Sequence, residues 1–362
     1  MKERRYERLH PAELREIVAR EPIAYVPLGT LEFHGEHLPT GVDSFEALAL
    51  CLRAAKRSGG VVLPPVYVAS GCLDLPFTLS YDHALVHAWA TSTVAQLARW
   101  GFRVVVLLTG HGPLDLNHLL KRVCAEVVAE TPGLAGYALC WLELNAAGLT
   151  GPERGEPTTV DHAARIETSW MLELEPGLVH LDRLSDDVDA QQLGIYGRNP
   201  RFTASAEFGR SQLEAAAELL ADRVRSLRAG KPMDPLADLR RFVDFGWPEP
   251  LLLRGYSGSP ASLVLHNPGT SSRYLSSLAL EIDGAPVPPS STVLTNPSPG
   301  ETGLAVRAAE LGAESGFYIR RGQDATITLE SLAAAAGPHR VRAEIGLAGV
   351  TSVVLDENVQ FL

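Results

Sequence analysis

At 362 residues the chain exceeds what one typical core supports, so two domains are expected. Hydrophobic residues make up 46% of it, enough for both cores, and the formal net charge of -11 excludes the broad basic surface that nucleic acid or anionic lipid requires. The opening Met1-Lys2-Glu3-Arg4-Arg5 leads into no apolar signal core and no stretch approaches the roughly 20 apolar residues of a membrane span, so a cytoplasmic protein without a membrane partner is expected.

As far as about residue 230, short Val/Leu-rich runs alternate with helical periodicity, the pattern of an α/β layer fold. The first strand, Ile23 to Leu28, opens onto Glu32-Phe33-His34-Gly35-Glu36-His37-Leu38-Pro39 and then Asp43, which gather two imidazoles and three carboxylates within twelve residues. Oxygen and imidazole nitrogen together suit Zn²⁺ or Mn²⁺; calcium and magnesium sites use oxygen alone, and structural zinc sites favour thiolates. Glu32 and His34 stand two apart, so in extended backbone both point the same way. The Pro39-Thr40-Gly41 turn can bring Asp43 back to them.

A helix is expected at Ser44 to Arg57, a strand at Val61 to Val66, a helix at His83 to Trp100 and a strand at Arg103 to Leu108. That last strand ends in Thr109-Gly110-His111-Gly112. Ligands in open α/β sheets gather outside the carboxyl ends of strands, so His111 can meet the Glu32 cluster there. Then come a helix at Leu116 to Glu130, a strand at Ala138 to Leu142, and helices at Ala163 to Leu174 and Ser211 to Arg228. Cys51, Cys72, Cys124 and Cys140 share no CxxC spacing and lie in apolar sequence, which reads as four buried free thiols without chemistry.

Past Gly230-Lys231-Pro232 the periodicity changes. Ser262 to His266, Ser277 to Ile282, Thr292 to Thr295, Phe317 to Arg320, Ala325 to Leu329, His339 to Ile345 and Val350 to Leu355 are short strand candidates separated by turn signals such as Asp283-Gly284. They suggest an immunoglobulin-like β-sandwich without its cysteine pair. The expected division is therefore 1–235, a linker at 236–250, and 251–362.

The run Val26 to Pro39 with Asp43 resembles the signature of the creatininase (creatinine amidohydrolase) family. Three further segments agree in order: Thr109 to Gly112, His162-Ala163-Ala164-Arg165-Ile166-Glu167-Thr168-Ser169, and Ile195-Tyr196-Gly197-Arg198-Asn199-Pro200. The resemblance covers roughly residues 5 to 230. It implies a creatininase-like α/β/α sandwich with two divalent ions, zinc and/or manganese, hydrolysing a C–N bond in a small cyclic or linear amide. Carried over by position, Glu32 and His111 hold one ion, His34 and Glu167 the other, and Asp43 bridges. His162 becomes the candidate proton donor or the group that orients the intermediate. Hexameric relatives imply a homo-oligomer.

His37 reads as a partner that orients a ligand rather than a ligand, Glu36 as a surface carboxylate, and His83, His87, His118 and His180 as ordinary surface or helix positions. Thr109 stands where the family has asparagine, and Phe77 puts a ring where it has glycine, near the expected substrate. Trp141 walls that pocket or packs in the core. The C-terminal elements Asn267-Pro268-Gly269, Leu280 to Pro288 and Gly337 to Val341 resemble the β-sandwich β subunits of C-glycoside deglycosidases. Alternatives to amide hydrolysis are a lactone or phosphoester at the same centre, or a non-catalytic, metal-stabilised binding protein.

Overall fold

The structure is a computed structural model that describes residues 3–148, 161–231, 251–267, 273–295, 305–312, 317–319, 324–347 and 351–362. The chain divides into two compact units. The expected linker, 236–250, lies outside the described residues.

The first unit is built on a parallel sheet of β1 (Ile23–Gly29), β2 (Val61–Val62), β3 (Val66–Tyr67), β4 (Val104–Thr109) and β5 (Ala135–Cys140), ordered β2-β1-β4-β5 with β3 also on β1. Every residue of β1 and β4 is buried, as in a parallel sheet covered on both faces. The helices are α1 (Pro11–Arg20), α2 (Val42–Ser58), α3 (His83–Arg99), α4 (Leu114–Glu130), α5 (Trp141–Gly148), α6 (Arg165–Leu174), α7 (Pro200–Thr203) and α8 (Ala206–Arg228). Helices α2, α6 and α8 pack on one another, α2 and α8 reach the sheet at β4, and α3 packs on β4. This is the expected α/β fold. Among the described residues no helix is long and apolar enough to cross a membrane.

Differences from the sequence expectations have local causes. The strand expected at 61–66 is two short strands, because Pro64 and Pro65 offer no N–H, and the facing Val26-Pro27 of β1 is left unpaired on that side. β5 ends at Cys140, two residues before its expected end, where Glu143 Oε1 accepts the Cys140 N–H at 2.9 Å and begins α5. Helix α1 carries Pro11 at its start and a reciprocal cap between His10 and Glu13, with the His10 N–H donating to Glu13 Oε2 at 2.8 Å.

In the second unit, the described residues from 251 to 362 are β in class. Among the described residues its ten strands form one continuous, mostly antiparallel sheet: β6 (Leu252–Tyr256), β7 (Ala261–His266), β8 (Arg273–Ile282), β9 (Ala285–Val287), β10 (Thr292–Thr295), β11 (Val306–Arg307), β12 (Phe317–Ile319), β13 (Asp324–Leu329), β14 (Gly337–Leu347) and β15 (Thr351–Phe361). Inward residues of β7, β8, β10, β13, β14 and β15 meet in one cluster, so the sheet curls over its own core. Asp283-Gly284, both at positive φ, turn β8 into β9 as the sequence signalled. β6 escaped the sequence reading because Leu252 to Tyr256 bury only Gly255, against which Phe361 packs.

Candidate metal centre

Five side chains converge at the carboxyl ends of β1 and β4. Glu32 and His34 follow β1, His111 follows β4, and Asp43 and Glu167 occupy the first turns of α2 and α6. All five are at most 5% exposed. The approach of α2 depends on Gly110, because a Cβ there would lie 1.9 Å from the Asp43 carbonyl oxygen. The Thr109 hydroxyl holds the loop beyond it, accepting the His111 N–H at 2.9 Å and donating to the His111 carbonyl at 3.0 Å.

The two oxygens of Asp43 face different partners. Oδ2 lies 3.3 Å from His111 Nδ1, which is itself 3.0 Å from Glu32 Oε2. Oδ1 lies 3.2 Å from His34 Nε2, which is 3.6 Å from Glu167 Oε2. The sequence-expected pairs, Glu32 with His111 and His34 with Glu167, are thus each adjacent to one Asp43 oxygen.

The donors fit a cation. Glu32 Oε2, His34 Nε2 and His111 Nε2 are buried without a hydrogen-bond partner, and His34, Asp43 and Glu167 offer donor atoms all within 4.8 Å of one another. His34 Nδ1 faces the Glu32 carbonyl oxygen at 3.0 Å, a donor's position that leaves Nε2 for a metal. Oxygen and imidazole nitrogen are the set that zinc and manganese accept.

Electrostatics say the same. Burial opposes a charged His34, but the carboxylates of Asp43, Glu167 and Glu32 outweigh it and carry its pKa up to about 10. Burial raises the Glu167 carboxyl well above the usual range, with Asp161 and Asp43 adding to it against the pull of His34. Burial also opposes the Glu32 and Asp43 carboxylates, yet His111 lowers the first and His111 with His34 the second. In the metal-free cluster protons on the imidazoles and on Glu167 offset the buried carboxylates, and a divalent ion would take the place of those protons.

Around this cluster, Leu73 N–H donates to Glu32 Oε1 at 2.8 Å and Ala163 N–H to Glu167 Oε2 at 2.5 Å. Asp161 caps α6 by accepting the Ile166 and Glu167 N–H groups at 2.9 and 3.1 Å. His37 lies behind the site with Nε2 2.9 Å from Thr168 Oγ1, tied to α6; burial and the His34 charge lower its pKa to about 4. His162 stacks on His34 with ring centroids 4.3 Å apart, and its Nε2 lies 3.0 Å from the Phe33 carbonyl oxygen. Burial and His34 bring its pKa to about 4 as well, so the ring is neutral with its proton on Nε2.

Other sequence candidates stand elsewhere. Phe77, at φ 62°, is 82% exposed on its loop. Trp141 is 1% exposed and lies 5.0 Å from the Trp170 ring, which is core packing rather than a pocket wall. Glu36 is exposed, His87 pairs with Glu126 at 2.7 Å, and the His118 side chain lies outside the described residues. Cys51, Cys124 and Cys140 are buried thiols as expected. Cys72 is not: it is partly exposed and shares a donor cluster with Glu32 and His111. Its one sequence signal was a position just ahead of the Leu75-Pro76-Phe77-Thr78 loop, and Thr78 Oγ1 does reach the Phe33 N–H at 3.0 Å.

Comparison with known proteins agrees with this geometry. A family model described as Creatininase, creatinine amidohydrolase, matches residues 7–224. The creatinine amidohydrolase of Pseudomonas putida is 28% identical over 242 residues, 58% of this chain and 91% of that protein. A mycofactocin precursor peptide peptidase of Mycolicibacterium smegmatis is 28% identical over 179 residues, 47% of this chain and 65% of that one. Among solved structures, a Zn-Zn-type mutant of creatininase matches with a TM-score of 0.55 at 25% identity, covering 63% of this chain and 99% of the other. With more than half of its length matched by the family model, and with the acidic and imidazole cluster assembled, this chain belongs to the creatininase family of metal-dependent amidohydrolases.

Proposed function

We propose that the chain hydrolyses the C–N bond of a small cyclic or linear amide, such as a creatinine-like ring, a lactam or a formamide, at a centre of two divalent ions, Zn²⁺ and/or Mn²⁺. Glu32 and His111 would hold one ion and His34 and Glu167 the other, with Asp43 available to both. The observation that carries this reading is the division of the Asp43 oxygens, 3.3 Å from His111 on one side and 3.2 Å from His34 on the other. When bound, such ions lower the pKa of water and polarise the scissile carbonyl.

The protein's own groups supply the rest. His162, neutral and with its Nε2 proton committed to Phe33, takes the proton of the attacking water at Nδ1 and delivers it to the leaving nitrogen. The Leu73 N–H fixes Glu32 by Oε1 and leaves Oε2 toward His111, and the Ala163 N–H fixes Glu167 by the Oε2 that faces His34. His37 holds the Thr168 turn and with it the start of α6. A homo-oligomer is expected, and light scattering on the purified chain measures it.

A peptide amide is the second reading, favoured by the name of the mycobacterial relative. The deciding assay compares creatinine, lactams, formamides, short peptides, lactones and phosphoesters before and after chelation and metal restoration. Metal-dependent release of amine from a non-peptide amide supports the first reading. Full activity after complete metal removal, or hydrolysis of esters alone, overturns it.

A further inference from the structure

The sequence gives Cys72 no role, and the five-ligand reading leaves it unused. Its backbone N–H donates to Ser80 Oγ at 3.4 Å, and its thiol makes a long contact of 3.5 Å with the Leu79 carbonyl oxygen. Yet its sulfur, a carboxylate oxygen of Glu32 and a ring nitrogen of His111 all lie within 4.8 Å of one another. The next residue anchors the loop on that carboxylate, since Leu73 N–H donates to Glu32 Oε1 and leaves Oε2 buried without a hydrogen-bond partner. The His111 nitrogen that faces this carboxylate is Nδ1, 3.0 Å from Glu32 Oε2. Glu32 is 1% and His111 5% exposed, so this pair is cut off from water.

We propose that Cys72 is a further protein ligand, as thiolate, to the ion held by Glu32 and His111, and that it selects zinc at that position. The inference rests on the two-ion reading above. Thiolate is a soft ligand, which favours zinc, whereas manganese prefers oxygen and nitrogen. With Asp43 bridging, Glu32, His111, Cys72 and Asp43 make four protein ligands, a complete tetrahedral set of the kind that closes a zinc site. The ion on His34, Glu167 and Asp43 has three, which leaves the open position that catalysis uses. The two positions then differ in work as well as in ligands: one holds the bridge and its charge in place, and the other meets substrate.

Cobalt substitution reads this directly. Metal-free full-length protein titrated with Co²⁺ should develop visible ligand-field bands and, in the near ultraviolet, a thiolate-to-cobalt charge-transfer band that saturates at one of two equivalents. Cys72→Ser should abolish the charge-transfer band and keep the visible bands, while Cys140→Ala, the control for the other thiol near His111, should keep both. In Zn²⁺/Mn²⁺ competition followed by metal analysis, Cys72→Ser should lose on the order of tenfold or more of the zinc preference at one position. Visible bands without a charge-transfer band in the unaltered protein, or a band that survives Cys72→Ser, overturn the assignment and leave the two-ion reading standing. No cobalt spectrum at all overturns both.

Discussion

Glu46 lies one helical turn beyond Asp43 on α2, and both of its carboxylate oxygens are buried without a hydrogen-bond partner. Burial, then the charges of Glu167, Asp43 and Asp161, push its carboxyl well above the ordinary range, so it sits behind the cluster as a neutral acid. Folded Glu46 keeps its proton to higher pH than the unfolded chain does. Its contribution to stability is therefore complete below the unfolded glutamate pKa of about 4.3 and is lost as pH rises toward the folded value. Glu46→Gln copies the neutral form, so it should match the unaltered protein below about pH 4.3 and gain in melting temperature relative to it as pH rises above that. Thermal denaturation of the metal-free proteins across pH measures the difference, and identical pH slopes would show that Glu46 is ionised in the folded state.

Metal binding should release protons. His34, with its pKa near 10 in the metal-free protein, is charged at neutral pH, and a ring nitrogen must be neutral to ligate. The stability that protonated His34 gains from its carboxylates is present below about pH 6.5, its unfolded value, and lost as pH rises through about 10, so apparent metal affinity should climb with pH over that window. About one proton from His34, with more from the raised Glu167, should leave per centre filled near pH 7. Titration calorimetry in buffers of different ionisation enthalpy counts them; a heat that does not depend on the buffer contradicts the assignment.

Much of this was legible in the sequence, for a reason visible in particular residues. Glu32, His34 and Asp43 sit within twelve positions, and strand alternation plus one turn is enough to converge them. The strand that delivers His111 is a bare run of Val and Leu, which reads as buried in any window. Glu167 was reachable only through family resemblance, because α6 owes its start to the Asp161 cap and a positive φ at Ala163, neither of which has periodicity. Glu46 and Cys72 were missed since a glutamate in an amphipathic helix and a cysteine in an apolar stretch look ordinary until tertiary packing places them. Trp141 could be read either as pocket wall or as core, and its neighbour Trp170 decides, from a helix far along the chain.

Gly110 should be intolerant of any side chain. Its φ is unremarkable, so the constraint is space: a Cβ would stand 1.9 Å from the Asp43 carbonyl oxygen and must push α2 away from the end of β4. Overpacking of this kind costs roughly 1–3 kcal/mol. Gly110→Ala should fold with a lowered melting temperature and bind less than its full complement of metal, because Asp43 moves with the helix. A purified variant with unchanged metal content and activity would show that the contact relaxes without displacing Asp43.

His162 separates ligation from proton transfer. Although its ring lies within reach of Glu32 and His34, its Nε2 is occupied by the Phe33 carbonyl, and it stacks on His34 rather than meeting it edge on with a free nitrogen. His162→Ala should therefore retain both ions while kcat falls by about 10²–10⁴-fold, the range for loss of a positioned acid–base group. With a pKa near 4, lowered further by any cations beside it, the neutral ring is present throughout the mildly acidic and neutral range. Its acid limb in the kcat profile should lie at or below about pH 4, since protonation at lower pH removes the accepting nitrogen. Metal analysis alongside kinetics decides: loss of an ion in His162→Ala would make His162 a ligand, and the proton would have to travel by another group.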